Sequence, residues 1–532
     1  MRSYYFAAKP FVVGVGGAEL GAPVSQGAYR RVRGAATPKG AAQRGCSATG
    51  PTPRATGTPT ALGLPRLLVL TIWLSLTLAA CAVGPDYQRP PVEVPKNWKE
   101  ATPRDGESRI RWWEIFDNPE LDALEAQALV ANETLKRAIA RVEEARQIAR
   151  ISAADFYPTI TFDPTATRQG YPVNRLTTIP QTGSLPPFTS NLFTVPLDLT
   201  YEVDVWGRIR RSYEAAREEA QASAADYQTV LLTLTSDVAQ NYFLLRSQDA
   251  EIALLQRTVK LRKEALDLVR YRFEGGVANQ LEQSQAETDL ATTQAQAIAL
   301  EQRRAQLEDA LAVLLGKPAP DFSVPRDPLE ALPPVIPAGL PSDLLERRPD
   351  VAQAERLMAA SNARIGVAKA AFFPAVQLTG SAGFQSTDIK SVFQWQNRMW
   401  SIGAGLFTPV FEGGRIRANY EASRAQYEQA VASYRQQVLV AFGDVEDALA
   451  AIRVLADQAQ AQDRAVTAAR KTTELATLRY REGLSNYLEV VDAQRTQLDN
   501  ERTAVQILGG RFASSVLLVK ALGGGWSPTI NR

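Results

Sequence analysis

From Arg208 to Glu274 the chain contains no glycine and no proline, and residues 415–482 contain one glycine, Gly443. Those two residue types are the usual helix breakers, so each run is free to remain a single helix. At 1.5 Å per residue such a helix is about 100 Å long. No globular core needs that length, and a coiled-coil-like assembly is the packing that uses it. The apolar positions agree. Leu231, Leu234, Val238 and Leu245 fall near heptad spacing, as do Val438, Ala441, Val445 and Ile452 in the second run.

The two runs belong to a duplication. Gly207-Arg-Ile-Arg210 recurs as Gly414-Arg-Ile-Arg417, Asp237-Val238 as Asp444-Val445, and Gly316 as Gly523, each 207 residues on without a gap. Asn279 with Leu281-Glu282 likewise returns as Asn486 with Leu488-Glu489. Upstream, Phe156-Tyr-Pro158 matches Phe372-Phe-Pro374 at a slightly longer spacing. A period this long predicts two similar halves, not a solenoid. The halves are expected at 119–317 and 342–523, joined by a proline-rich linker at 318–341 and followed by a tail at 524–532. Residues 120–155 are expected to form an amphipathic helix ahead of the first β-segment.

Ahead of each long run the period changes to two. Phe193, Val195, Leu197, Leu199, Tyr201, Val203 and Val205 point one way; Thr194, Asp198, Thr200, Glu202 and Asp204 point the other. Apolar on one face and polar on the other over about 9–11 residues is the transmembrane β-barrel pattern. Weaker versions occupy 158–167, 375–385 and 399–411, giving two hairpins with tips at 170–191 and 386–398. Four strands cannot close a barrel, and an open sheet edge is forbidden in lipid. The chain therefore has to oligomerise, to eight strands as a dimer or twelve as a trimer, and the pattern does not choose.

Residues 67–80 are apolar, follow Arg66 and end Leu-Ala-Ala before Cys81. About 14 residues are too few for a comfortable span and fit the core of a signal peptide at 66–80. The ending resembles a bacterial lipobox, in which Cys81 is acylated and becomes the first residue of an anchored segment, 81–118. Ala82 after it favours sorting to the outer membrane. Residues 1–65, rich in Gly, Pro, Thr and Arg, are expected to be disordered or untranslated. With Lys+Arg 59 against Asp+Glu 57, there is no polybasic signature of a nucleic-acid partner. The sequence has no histidine and two cysteines, Cys46 and Cys81, so the commonest general base and metal ligand are missing. No catalytic constellation, metal site or cofactor is expected, and the chain is read as a non-enzyme.

Several stretches together resemble the TolC-like outer-membrane factors, in their lipoprotein (NodT/OprM-type) branch. They are Cys81-Ala-Val-Gly-Pro-Asp-Tyr87 with Arg89-Pro90, Trp112-Trp113 with Phe116, Leu344-Leu-Glu-Arg-Arg-Pro-Asp350, and 480–495. With the repeat they cover nearly all of 81–532. The resemblance implies a mainly α fold with a membrane β part. Each chain would give four strands to a trimeric, 12-stranded outer-membrane barrel continued by a periplasmic α-helical barrel. It implies a homotrimer docked to a periplasmic membrane-fusion adaptor and an inner-membrane pump, commonly of the RND type, exporting small molecules. A type I protein-secretion channel and a structural lipoprotein are the alternatives.

Both long runs end at glycine turns, Gly275-Gly276 and Gly483, before a shorter helix returns. Asn279 with Glu282 and Asn486 with Glu489 fit helix starts in which the side chains satisfy backbone donors. Asp492 stands one turn beyond Glu489 on the same face, and in a trimer it would become a ring of three acids. The resemblance implies a periplasmic gate at Tyr480, Leu488, Glu489, Asp492 and Arg495, with Glu282 from the other half and Leu488 as an apolar constriction. Ser485 stands where some members place an arginine. The same resemblance implies that the adaptor docks on Arg272, Gly275, Gly276 and Val277 of one turn and Arg481, Gly483, Leu484 and Ser485 of the other.

Overall fold

The computed structural model of the chain describes residues 82–100, 111–171, 188–339 and 341–525. Cys81, everything before it and most of the first expected strand tip lie outside the described residues.

A turn of 3-10 helix at Trp112–Phe116 leads into α1 (Pro119–Ala131), whose N-cap Asn118 accepts from the Leu121 amide. Residues 120–155 are not one helix. They split at Asn132, which ends α1 and caps α2 (Glu133–Ala154) through its side chain. The chain then enters the membrane-type sheet through β1 (Thr159–Phe162), β2 (Thr165–Tyr171) and β3 (Phe188–Val203). Next come α3 (Arg208–Glu274), 67 residues long, and α4 (Gln280–Leu314), 35 residues. A linker holding one 3-10 turn at Ala319–Asp321 precedes α5 (Pro341–Arg347) and α6 (Pro349–Ala370). Strands β4 (Ala375–Ser386) and β5 (Arg398–Phe407) follow, then α7 (Arg415–Arg481), again 67 residues, and α8 (Tyr487–Ala521), again 35.

The expected first strand is broken in two because Asp163-Pro164 interrupts it: proline has no N–H to give a ladder. Both pieces pair with β3, so the sheet is effectively four strands, all antiparallel, in the order β1/β2–β3–β4–β5. The last strand stops at Phe407, short of residue 411, with Thr408 and Pro409 next. Register keeps like with like. Leu197 faces Phe162 and Ala382, Leu199 faces Ile160 and Gly380, and Leu378 faces Tyr201 and Ala404. The opposite face carries Thr161, Asp198, Thr200, Gln377, Thr379 and Ser381. Trp400 (73% exposed), Ile402 (84%) and Leu406 (69%) are bare on the apolar face of β5, which nothing among the described residues covers.

The helices bury two repeat-related cores. One gathers Trp112, Trp113, Leu121, Phe243 and Phe512 around Val238; the other gathers Met358, Tyr434, Phe442 and Leu518 around Val445. Residues 82–100 form a strap laid over the helices. The Val83 amide donates to the Trp206 carbonyl (2.9 Å), Arg89 donates to the Tyr434 hydroxyl (3.0 Å), and Trp98 donates to the Gly339 carbonyl (2.9 Å). Arg453 and Glu100 close its far end at 2.7 Å.

Candidate functional site

The two glycine turns have one geometry. Gly276 (φ +74°) and Gly483 (φ +71°) occupy the left-handed region that lets a helix stop. The next amides reach back five residues to close the turn: Val277 to the Arg272 carbonyl and Leu484 to the Arg479 carbonyl, both at 2.8 Å. The returning helices start where Asn279 accepts from the Glu282 amide (3.0 Å) and Asn486 from the Glu489 amide (3.2 Å). Gly275, Gly276, Val277, Arg481, Gly483 and Leu484 are exposed at these ends, while Arg272 and Ser485 are half-buried.

Across the turns the two hairpins hold each other. The Tyr480 hydroxyl donates to Oε2 of Glu282 at 3.0 Å, joining the second half to the first. Burial, aided by that carboxylate, pushes the Tyr480 hydroxyl up to about 12, so it remains a donor throughout the physiological range. The Arg272 guanidinium lies 4.5 Å from the centre of the Tyr480 ring and donates to the Tyr480 carbonyl at 3.0 Å. The Tyr487 ring packs against that of Tyr480 at 5.3 Å. Glu282 thus has two jobs: its amide is capped as expected, and its carboxylate bridges the halves.

Two turns further from the tip lies a cluster that sequence reasoning missed. Asp289 of α4 is buried between Arg262 of α3 and Arg495 of α8, at 2.9 Å from each. Arg262 also donates to Thr293 and to the Asp289 carbonyl. Burial pulls the Arg262 guanidinium below its usual value. The repeat carried a signal, since Arg262 and Asp289 correspond to Ala469 and Thr496 in the second half. Of the expected residues, Glu282, Tyr480 and Arg495 are thereby joined to the other half. Leu488, Glu489 and Asp492 point away, exposed on α8, with Glu489 3.8 Å from Arg479.

An amphiphilic four-stranded sheet whose two edges are unpaired among the described residues, carried on helical hairpins about 100 Å long, defines one stave of an oligomeric membrane channel. The comparisons with known proteins agree. The toluene efflux pump outer membrane protein TtgF of Pseudomonas putida is 33% identical over 469 residues, 86% of this chain and 96% of that protein. The pyoverdine export outer membrane protein OpmQ of Pseudomonas aeruginosa is 35% identical over 460 residues, 85% and 95% of the two chains. The solved structure of the outer-membrane channel OprN superposes with a TM-score of 0.78 at 31% identity, covering 84% of this chain and all of that one. The profile of the outer membrane efflux protein family matches residues 124–317 and 340–524, and the chain belongs to that family.

Proposed function

We propose that three copies assemble into the exit duct of a tripartite efflux system, each anchored through a lipid on Cys81. The observation that carries this reading is the sheet: apolar on one face, polar on the other, and, among the described residues, unpaired at both edges. Two copies would give eight strands, a barrel whose interior side chains fill, whereas twelve leave a lumen. The helical hairpins prolong that lumen into the periplasm, and their tips close it. Leu488 forms an apolar constriction, Glu489 and Asp492 an acid ring, and the Tyr480–Glu282 and Arg495–Asp289 contacts hold neighbouring hairpins together. Arg272, Gly275, Gly276 and Val277, with Arg481, Gly483, Leu484 and Ser485, form the docking surface for a periplasmic membrane-fusion adaptor fed by an RND-type inner-membrane pump. Transport is passive and needs no cofactor or catalytic residue. Relatives named for toluene and for pyoverdine export differ in cargo at similar identity, which favours a duct that leaves selection among small molecules to its pump.

Planar-bilayer conductance of the purified, detergent-solubilised protein tests this. Wild type is expected to give small, cation-selective currents that grow in Leu488→Ala and in Asp492→Ala. A folded oligomer silent in all three forms would overturn the duct and favour a structural lipoprotein.

A further inference from the structure

The tip that joins β4 to β5 gathers aromatic rings and an arginine on the apolar side of the sheet. Arg398, Trp400, Ile402 and Leu406 alternate along β5 and so share its apolar face. The long helices leave the sheet from the Leu406 end, so in an outer-membrane efflux protein Arg398 marks the end that faces out of the cell. The strand from Leu406 to Arg398 spans about 26 Å, or about 20 Å across the membrane once a tilt of about 40° is allowed for. That places the guanidinium at the outer rim of an apolar band about 25 Å tall.

Local contacts give the tip one shape. The chain turns through two short 3-10 segments, Ile389–Ser391 and Trp395–Asn397. Asn397 donates to the Ser391 carbonyl at 2.7 Å, the Ser386 and Ser391 hydroxyls meet at 2.8 Å, and Val392 is buried. Phe393 (71% exposed) sets its ring edge-on to Phe384 at 5.9 Å, and Phe384 pairs with Arg398 on the apolar face. Arg398 is folded back on Trp395 (73% exposed): its guanidinium lies 4.7 Å from the ring centre and donates to the Trp395 carbonyl at 3.0 Å. Its other N–H donors meet no carboxylate among the described residues. Asp388 is the sole acid between Ser386 and Trp400, and its carboxylate accepts from the Lys390 amide at 3.0 Å. The exposed Lys390 ammonium pairs with no acid among the described residues and adds a second positive charge to the tip.

We propose that Arg398, held on Trp395, binds the phosphate of an outer-leaflet lipid whose chains lie over Phe393, Trp400 and Ile402. Apolar surface continuous with the lipid-facing side of the sheet calls for an apolar cover, and a guanidinium without a counter-ion calls for an anion. A phosphate-bearing lipid supplies both in one molecule. The planar fork of arginine suits paired phosphate oxygens. The plainer reading is an interfacial arginine that reaches for water above an aromatic belt. A side chain of that kind extends away from the rings below it, whereas Arg398 turns back and is fixed by the Trp395 ring and carbonyl. The site rests on the apolar face of the sheet meeting lipid, and it is independent of the gate and of the adaptor.

Brominated lipids test this, because bromine quenches the fluorescence of indoles that lie against it. Trp395 and Trp400 are exposed at the tip, whereas Trp98, Trp112 and Trp113 are buried and Trp206 is half-buried at the other end of the sheet. The protein is reconstituted in phosphatidylcholine vesicles in which a small fraction of the lipid is brominated phosphatidic acid or, in parallel, brominated phosphatidylcholine. Wild type is expected to prefer phosphatidic acid by about fivefold or more, the factor that one basic residue at a membrane surface provides. Arg398→Gln is expected to lose that preference while its quenching by brominated phosphatidylcholine stays unchanged, which shows the variant folded and inserted. Arg398→Lys should keep part of the preference. Inorganic phosphate in large excess should not displace the lipid, since it has no chains to cover the rings. Equal quenching by the two lipids in wild type, a preference that survives Arg398→Gln, or displacement by inorganic phosphate overturns the lipid site. A wild type that neither lipid quenches overturns the lipid-facing reading of the sheet itself.

Discussion

Two residues break local rules, and each break has a consequence that can be measured. Pro196 stands inside β3, a central strand, where its missing N–H should weaken the ladder. The strand opposite compensates with Gly383, because a Cβ there would come within 2.1 Å of the Val195 carbonyl oxygen and 2.8 Å of the Pro196 Cα. Gly383→Ala is therefore expected to force the two strands apart and lower the thermal midpoint by several degrees, as read by circular dichroism. The second residue is Glu125, fully buried on α1 with neither carboxylate oxygen hydrogen-bonded. Burial, with Asp122 adding to it, pushes its carboxyl up to about 9, so the folded protein keeps this proton at neutral pH. The unfolded chain releases it above its ordinary value near 4.5, so unfolding sheds a proton between those limits. Stability should fall across that window by up to about 1.4 kcal/mol per pH unit. Glu125→Gln is expected to remove the slope, matching wild type near pH 4 and exceeding it at pH 8 in thermal melts.

At the scale of elements, the fold is assembled from helices butted end to end beside the two continuous ones. The joint is made twice. Asn132, at the start of α2, donates to the Leu314 carbonyl at the end of α4 (2.9 Å); Arg348, at the start of α6, donates to the Ala521 carbonyl at the end of α8 (3.3 Å). Gly316 (φ +65°) and Gly523 (φ +89°) leave room at these joints, since a Cβ would lie 2.5 Å from the Ala131 carbonyl oxygen and 2.1 Å from that of Arg347. Asn132→Ala should cost about 1 kcal/mol for the lost cap, and more for the Leu314 carbonyl it abandons. Nearer the tips, Asp289→Ala strands the buried Arg262 and should cost about 3–5 kcal/mol in denaturant melts, with Arg262→Met added to it recovering much of the loss. The repeat in the sequence exposed both glycines, because they are identical at the fixed spacing. It hid the joint itself, because one half uses an asparagine and the other an arginine. It marked Asp289 only by a mismatch, with Thr496 at the equivalent position, because a residue that bridges the halves has no need of a duplicate.

For the whole molecule, long helices, strand faces and the need for partners could all be read from the chain, because they are periodic and breakers bound them. What could not be read is where periodicity gives way to a single event: the division at Asn132, the interruption at Pro164 and the bond from Tyr480 to Glu282. The polar face of the sheet has one further consequence. Apart from a few longer groups such as Asp198 and Gln377, it is surfaced by Thr161, Thr200, Thr379, Ser381, Gly383, Ser401, Gly403 and Gly405. Side chains that short leave the mouth of the duct without a sieve. In the duct proposed above, a bacterium that installs this protein has drilled a hole in its own armour, and everything that keeps large toxins out rests on the few residues proposed as its gate at the far end. Cells carrying Leu488→Ala should become sensitive to bulky antibiotics that their intact envelope excludes, even with the pump itself deleted.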